Sequence, residues 1–585
     1  MSVDSFSSSK SVAATYFAHR PVIAATRHVV SSGHYLASHA AFQILEAGGN
    51  AVDAGVAAGL VLAIVHSDQV NFAGVAPMMI YLAKEKRVIT IDGLGGWPAA
   101  ASCERFEKEF GGVIPEGLLR TVVPAAPGAW IAALQRYGTK SFAEVAQYAI
   151  RFARDGFIMY PFLADRLQEA EAKYQRWPSN AEIYLPNGRV PVVGDLFVQT
   201  DLAKSLQYMA DQEAAMQGTR EEKLGAARDA FYKGDIASKI VNFHKENGGL
   251  LTAEDLANYT PNIEEPLSTR FGSMTVYSCG FWCQGPALLQ ALNILKGIDL
   301  KGMGHNTVPY IHHVAEALKL TFADRERYYS DPKFVNVPAE QLLSDEYAAQ
   351  RRKLIRSDQA WPEMPPFGRI ENFDDEGVRS GNISSEIDPP LDTSYVCVVD
   401  SHGNAFSATP SDVSTDTIVI PGTGLCPSSR GSQSRADSRH PAGVAPGKRP
   451  RLTPNPAMAI EDGKLVLPFG SPGGDSQVQA MLQVLLNITV FGMDTQTAIE
   501  EPRFISYSHP DSFAPHAYYP GRLSIEGRIP VDIENALSAM GHDMQRWPDW
   551  IWRAGGVCAI RSDVSDGIHH AGADPRRAAA YALGW

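Results

Sequence analysis

An Asp-Thr pair, Asp392-Thr393, stands where a polar stretch of chain meets the β-branched, aromatic run TSYVCVVD. If the chain were cut before Thr393, that residue would hold a hydroxyl and a free amine together. An α-amine, with a reference pKa of about 7.7–8.0, can serve as the base for its own hydroxyl nucleophile. A second feature is the turn Gly470-Ser471-Pro472-Gly473-Gly474-Asp475 between a strand-like run and a helix-like run. A Gly-Gly pair there leaves backbone N–H groups free to converge on one point, and the helix start adds positive dipole. Such a turn can hold an oxyanion, although a plain tight turn has the same composition.

Other chemistry-bearing groups point less far. Cys283, in Phe281-Trp282-Cys283-Gln284-Gly285-Pro286, could be a thiol nucleophile, but a buried free cysteine is the more common fate. His312, His313 and Glu316 share a helical stretch with ligand-like spacing. No second motif supplies further ligands, so no metal and no cofactor is expected. The sequence has no GxSxG elbow, Walker A loop, HExxH or strand-linked GxGxxG, which argues against the enzyme classes those motifs mark.

The elements that must position these groups follow from periodicity. Tyr35–Glu46 has apolar residues at helical spacing and is stopped by Gly48-Gly49. Asn50 can cap the next helix, Ala51–Val65, which is small and apolar on every side and should be buried. Met78–Leu82 and Val88–Ile91 read as strands, residues 142–235 as mostly helical, and Tyr310–Tyr328 as a helix. Residues 357–392 are rich in Pro, Asp, Glu, Ser and Gly and read as a flexible connector. Beyond it, strands are expected at Thr393–Asp400, Ala405–Thr409 and Lys464–Phe469, then a helix at Ser476–Leu486.

Composition bounds the class. The 585 residues are 45% hydrophobic and 20% charged, enough for a sizeable core and incompatible with disorder throughout. A net charge of −13 argues against a broad nucleic-acid surface. The cysteines Cys103, Cys279, Cys283, Cys397, Cys426 and Cys558 are sparse and form no CxxC pair, which fits a reducing compartment. The Ser-rich start, residues 1–19, has no apolar core of a secretory signal, and the apolar run Gly55–Val65 is too short to span a bilayer. A cytoplasmic protein with no membrane partner is expected.

Taken together, these segments resemble the γ-glutamyltranspeptidase family of N-terminal-nucleophile hydrolases. The likeness runs from about Val29 to Ala579, through LASHAAFQILEAGGNAVDAGVAA (36–58), VPAAPGAW (123–130), GGLLTAEDLANY (248–259), LLQALNILKG (288–297), FADRERYYSDP (322–332), TSYVCVVDSHGNA (393–405), GSPGG (470–474) and LQVLLNITVFGMDTQTAIEEPRF (482–504). The resemblance implies an α+β fold of four layers, αββα. It also implies a precursor that cuts itself into residues 1–392, with an N-terminal tail at 1–20 and the connector, and residues 393–585. The two pieces would stay together as a heterodimer, with a dimer of heterodimers as a further option. Thr393 matches the nucleophile, Ser411 the place of an orienting Thr, and Gly473 and Gly474 the oxyanion pair.

The substrate clamp departs from the family pattern. Leu94 falls where an Arg grips the substrate α-carboxylate, and Val413 where an Asn follows the orienting hydroxyl. The Asn-Asn-x-Met-Asp-Asp segment becomes Ser428-Ser429-Arg430-Gly431-Ser432-Gln433, and a Ser-Ser pair becomes Leu452-Thr453. The Gly-rich run after the second helix is reduced to Asn71-Phe72-Ala73-Gly74. The Arg-Gly version resembles the amidohydrolase branch of the family, with its oxamate amidohydrolase-like and cephalosporin acylase-like members. Arg430, Gln433, Thr453 and Leu94 are therefore the candidate substrate-binding residues. The expected function is a threonine amidohydrolase for small, non-γ-glutamyl amides. The alternatives are a γ-glutamyltransferase or glutathione hydrolase with a rearranged clamp, and an uncleaved pseudoenzyme that binds a ligand or partner.

Overall fold

The computed structural model describes residues 18–371 and 392–585. The helices Tyr35–Glu46 and Ala51–Val65 form at their expected bounds. Asn50 Oδ1 accepts the Val52 and Asp53 N–H groups at 2.9 and 3.1 Å, and Asp53 Oδ2 accepts the Asn50 N–H at 2.9 Å. This reciprocal capping satisfies donors that would otherwise be buried without partners. The second helix is buried along its whole length. Gly55 lets it lie flat on the sheet: a Cβ there would come within 2.1 Å of the Phe406 ring. The helix ends at His66 and delivers Ser67-Asp68-Gln69 to the site.

Two seven-stranded sheets form the centre. One runs Tyr581–Gly584, Val29–Ser32, Val396–Val399, Ala405–Ala408, Met78–Leu82, Arg87–Ile91 and Ile263–Glu264. The other runs Ile23–Ala25, Ile568–Ala573, Cys558–Asp563, Leu465–Gly470, Ala457–Glu461, Met274–Ser278 and Leu267–Phe271. All neighbours in both sheets are antiparallel.

Strand alternation sorts the apolar residues into layers. Val396, Val398 and Phe406 pack under helices that include Ala51–Val65 and Phe142–Asp155. Cys397 and Val399 point the other way and meet Met458, Val466 and Ile560 of the second sheet. The outer face of that sheet, with Ala459, Leu467 and Phe469, is covered by helices Pro286–Leu295, Val308–Tyr328 and Ser476–Thr489. The order is helix, sheet, sheet, helix, as the resemblance implies.

Several sequence expectations need correction. The nucleophile candidate does not open its strand: that strand spans Val396–Val399, and Thr393 has φ +90°. The chain turns back there because the Thr393 N–H bonds the Gln69 carbonyl at 3.2 Å and the Ser394 N–H bonds the Pro410 carbonyl at 3.1 Å. The expected connector is tethered over 357–371. Trp361 and Gly368 donate backbone N–H groups to the buried Glu316 and Asp324 at 3.1 and 2.8 Å. Its remainder, 372–391, lies outside the described residues, as does most of the N-terminal tail. The stretch 142–235 is mostly helical, as expected, and also holds a small ribbon, Phe157–Ile158 paired with Leu196–Phe197. Among the described residues no helix is long and apolar enough to cross a membrane.

Candidate active site

Thr393, Ser411, Arg430 and the Gly473 turn, far apart in sequence, meet at the ends of the two central sheets. Asp392, Thr393, Ser411 and Arg430 are each about 1% exposed or less. The Thr393 hydroxyl donates to Asp392 Oδ1 at 2.8 Å, lies 2.6 Å from Ser411 Oγ and accepts the Gln477 Nε2 donor at 3.2 Å. Ser411 Oγ is also 3.1 Å from Asp392 Oδ2. A backbone bridge to Val75 holds Ser411 in place, with N–H···O distances of 3.0 and 3.1 Å. With one hydroxyl proton each, Thr393 and Ser411 form a chain that leads from Gln477 to the carboxylate of Asp392.

The glycine turn receives the peptide bond itself. The Gly473 N–H donates to the carbonyl oxygen of Asp392 at 3.0 Å, so the Asp392–Thr393 carbonyl rests on a backbone donor of the turn. Gly473 has φ +124° and Gly474 φ +56°. A Cβ at Gly473 would meet nothing closer than 3.5 Å, so backbone conformation, not space, demands glycine. The Gly474 carbonyl is held by Gln284 Nε2 at 2.9 Å. Arg325 Nη1 donates to Gln284 Oε1 at 3.1 Å and to Asp475 at 2.6 Å. Burial alone would raise the Asp475 carboxyl, but Arg325 outweighs it and holds the group below the usual carboxylate range.

Arg430 begins the single turn Arg430–Gln433. Its Nη2 donates to Asp392 Oδ2 and to Ser411 Oγ. Asp412 Oδ2 lies 3.6 Å from Arg430 Nε, but its oxygens take the hydroxyls of Ser428 and Ser429 at 2.5 and 2.7 Å and the Ser429 N–H at 3.1 Å. Burial pushes the Asp412 carboxyl up, with Arg430 opposing. The neighbouring arginines are engaged elsewhere: Arg435 reaches Glu326 at 3.3 Å and Arg439 reaches Asp437 at 2.9 Å.

Gln433 and Thr453 bond each other, with Gln433 Nε2 to Thr453 Oγ1 at 2.7 Å and the Thr453 N–H to Gln433 Oε1 at 3.3 Å. The Thr453 carbonyl accepts from Gln284 at 3.0 Å, which joins this pair to the Gly474 turn. Leu94 sits in an apolar cluster with Val75, Cys279, Trp282, Cys283 and Leu452. It therefore contributes to an apolar wall beside Val75, the bridge partner of Ser411. Cys283 is part of the same wall, its Sγ accepting the Gly285 N–H at 3.3 Å, which is a structural role. His312 and Glu316 do approach a further histidine, His542. They bond one another and the fold: His312 with His542 at 2.9 Å and with the Arg356 carbonyl at 2.6 Å, and Glu316 with Lys319 at 2.8 Å. His313 bonds its own helix at Pro309.

Sequence reasoning missed Gln477, Gln69, Gln284 and the side chain of Asp392. Only Gln477 carried a signal: it is the second residue of the helix that follows the glycine turn. Gln69 acts through its backbone carbonyl, and Gln284 and Asp392 act through side chains whose partners only the fold brings near.

An antiparallel αββα sandwich with a threonine, a paired hydroxyl and a glycine turn at the sheet ends is the arrangement of an N-terminal-nucleophile hydrolase fold. The γ-glutamyltranspeptidase family model matches residues 37–584, and the chain belongs to that family and is an enzyme. It is similar to the acylase ACY 1 proenzyme of Pseudomonas sp. (strain SE83), 32% identical over 92% of this chain and 90% of the relative. It is similar to the glutathione hydrolase-like YwrD proenzyme of Bacillus subtilis, 31% identical over 94% of this chain and 97% of the relative. Among solved structures, the cephalosporin acylase from Bacillus halodurans superposes with a TM-score of 0.83 at 28% identity, covering 97% of both chains.

Proposed function

We propose that this enzyme cuts itself between Asp392 and Thr393 and then uses Thr393 to hydrolyse small amides whose acyl group carries a carboxylate. The observation that carries the reading is the Asp392 carbonyl, seated on the Gly473 N–H at 3.0 Å beside the Thr393 hydroxyl. In the uncut chain the Thr393 nitrogen is acylated and cannot act as a base. Asp392 Oδ1, 2.8 Å from the hydroxyl, takes its proton instead. The Thr393 Oγ attacks the Asp392 carbonyl carbon, Gly473 holds the oxyanion, the C–N bond breaks and the nitrogen takes the proton. Water then hydrolyses the ester, leaving a C-terminal carboxylate on Asp392 and a free amine on Thr393. A β-branched residue held at φ +90° costs about 1–3 kcal/mol, and cutting the bond releases that strain.

In the cut enzyme the amine is the base. The Thr393 Oγ attacks the substrate amide, Ser411 orients it, Gly473 and Gly474 face the oxyanion, and water hydrolyses the acyl-enzyme. Nucleophile, base and oxyanion donors all come from the chain, and Arg430 is the cation left to bind an acidic acyl group. The apolar wall at Leu94 and the engaged Gln433–Thr453 pair offer no clamp for a γ-glutamyl amino acid.

The name glutathione hydrolase on several relatives favours the second reading, a γ-glutamyl enzyme with a rearranged clamp. Parallel assays of γ-glutamyl-p-nitroanilide and half-acid p-nitroanilides separate the two. We expect the half-acid compounds to be turned over at least 10²-fold more efficiently, the penalty expected for an unpartnered buried charge. Efficient turnover of the γ-glutamyl compound alone would put the second reading first. A single uncut band with no activity on either would leave a pseudoenzyme.

A further inference from the structure

We infer that Asp392 fills the acyl pocket of its own enzyme, so that the pocket it vacates fits acyl groups with a carboxylate two carbons from the carbonyl. This rests on the proposed function above and specifies its substrate class.

The same atoms serve both reactions. In the uncut chain the Asp392 carbonyl is the group under attack, held by the Gly473 N–H next to the Thr393 hydroxyl. A substrate amide must place its own carbonyl carbon at that point. The Asp392 side chain then shows what lies one acyl chain away. Its carboxylate accepts from Arg430 Nη2 and lies 3.1 Å from the Ser411 hydroxyl, inside a fully buried site. Counting along Asp392, the carbonyl carbon, Cα, Cβ and the carboxylate carbon make a four-carbon diacid. A succinyl amide or an α-linked aspartyl amide overlays it atom for atom.

Arg430 is built to take a replacement. It is 1% exposed, yet its Nε and Nη1 have no hydrogen-bond partner, and only Nη2 is engaged. Buried guanidinium donors left idle are costly, whereas a free carboxylate can approach the planar fork with two oxygens at once. Asp392, constrained by its peptide bond, engages the fork through one nitrogen. Asp412 does not fill the gap, since its nearest oxygen is 3.6 Å from Nε and is bound by serines. The Phe513 ring, 5.5 Å from the guanidinium carbon, covers another side of the group. When the bond is cut, Asp392 becomes a chain end carrying its own product carboxylate, and its withdrawal leaves Arg430 with only Asp412 near it, 3.6 Å from Nε.

The test uses the cut wild-type enzyme and p-nitroanilides of oxalic, malonic, succinic and glutaric half-acids, with the uncharged butyryl anilide as control. We expect kcat/KM to peak at the succinyl compound, about tenfold or more above the malonyl and glutaryl neighbours and about 10²-fold above butyryl. Among the free diacids, succinate should be the strongest competitive inhibitor. A peak at another length, with the matching diacid the best inhibitor, overturns this inference and leaves the amidohydrolase reading standing. Turnover of the butyryl anilide as fast as the half-acids removes the pocket altogether. Turnover of γ-glutamyl-p-nitroanilide with none of the series accepted overturns the proposed function itself.

Discussion

Thr393, Asp392 and Arg430 form one charge-linked unit, and changes to each should have different signatures. Thr393→Ala removes the attacking oxygen and should leave a single uncut chain. Asp392→Asn keeps the shape and a hydrogen-bond acceptor but loses the base for self-cleavage. It should slow cutting by about 10²–10⁴-fold, the usual worth of a positioned base, read as band conversion over time. Once cut, that variant should hydrolyse amides at the wild-type rate, because Asp392 takes no part in the mature reaction. Equal cutting rates in Asp392→Asn and wild type would remove Asp392 as the base. In the proposed mechanism the mature base is an α-amine, which acts only when neutral. Activity should therefore rise with pH through that amine's pKa, whose reference is about 7.7–8.0, and fall on the acid side with a one-proton slope. A profile flat from pH 5 to 9 would exclude the amine.

Turns, more than side chains, set the geometry at the level of elements. Gly473 needs φ +124°, so Gly473→Ala should misplace the oxyanion donor and cost about 10²–10³ in rate with little change in KM. A change confined to KM would mean that the turn only shapes the pocket. The turn after helix Ala51–Val65 carries Asp68, whose carboxylate oxygens have no hydrogen-bond partner and whose pKa burial raises to about 6. The folded pKa lies above the unfolded value of about 3.9, so bound proton stabilises the fold below pH 4. That contribution is lost as pH rises through 6. Asp68→Asn should flatten the fall in Tm between about pH 4 and 6, and an unchanged slope would place the titration elsewhere.

These turns also mark how far the sequence could be read. The helix pair at Tyr35–Val65 was legible because Gly48-Gly49 and Asn50 punctuate a helically spaced stretch and a run apolar on every side. The glycine turn was legible because its neighbours switch from strand to helix pattern. Thr393 was misread as the start of a strand, since β-branched neighbours outweigh the single position that must turn back toward Gln69. Gln284 and Gln69 were invisible, because what they contribute depends on partners more than a hundred residues away. Asp392 was read only as the residue before the cut, although its side chain touches three groups of the site.

For the whole molecule, the proposed cut falls between interleaved parts. Strand Val396–Val399 lies between Val29–Ser32 and Ala405–Ala408, and Ala405–Ala408 in turn pairs with Met78–Leu82. The C-terminal strand Tyr581–Gly584 pairs with Val29–Ser32. Residues 1–392 and 393–585 thus share both central sheets and bury common cores, so the pieces should co-elute in native size exclusion and part only in denaturant. Elution of the smaller piece alone would contradict that arrangement. The central claim is the position of the cut, and the intact mass and N-terminal sequence of the smaller fragment test it most directly. The account predicts a fragment that begins Thr393-Ser394-Tyr395 with a free α-amine. A fragment that begins at any other residue, or purified wild-type enzyme that is fully active as one uncut chain, would contradict it.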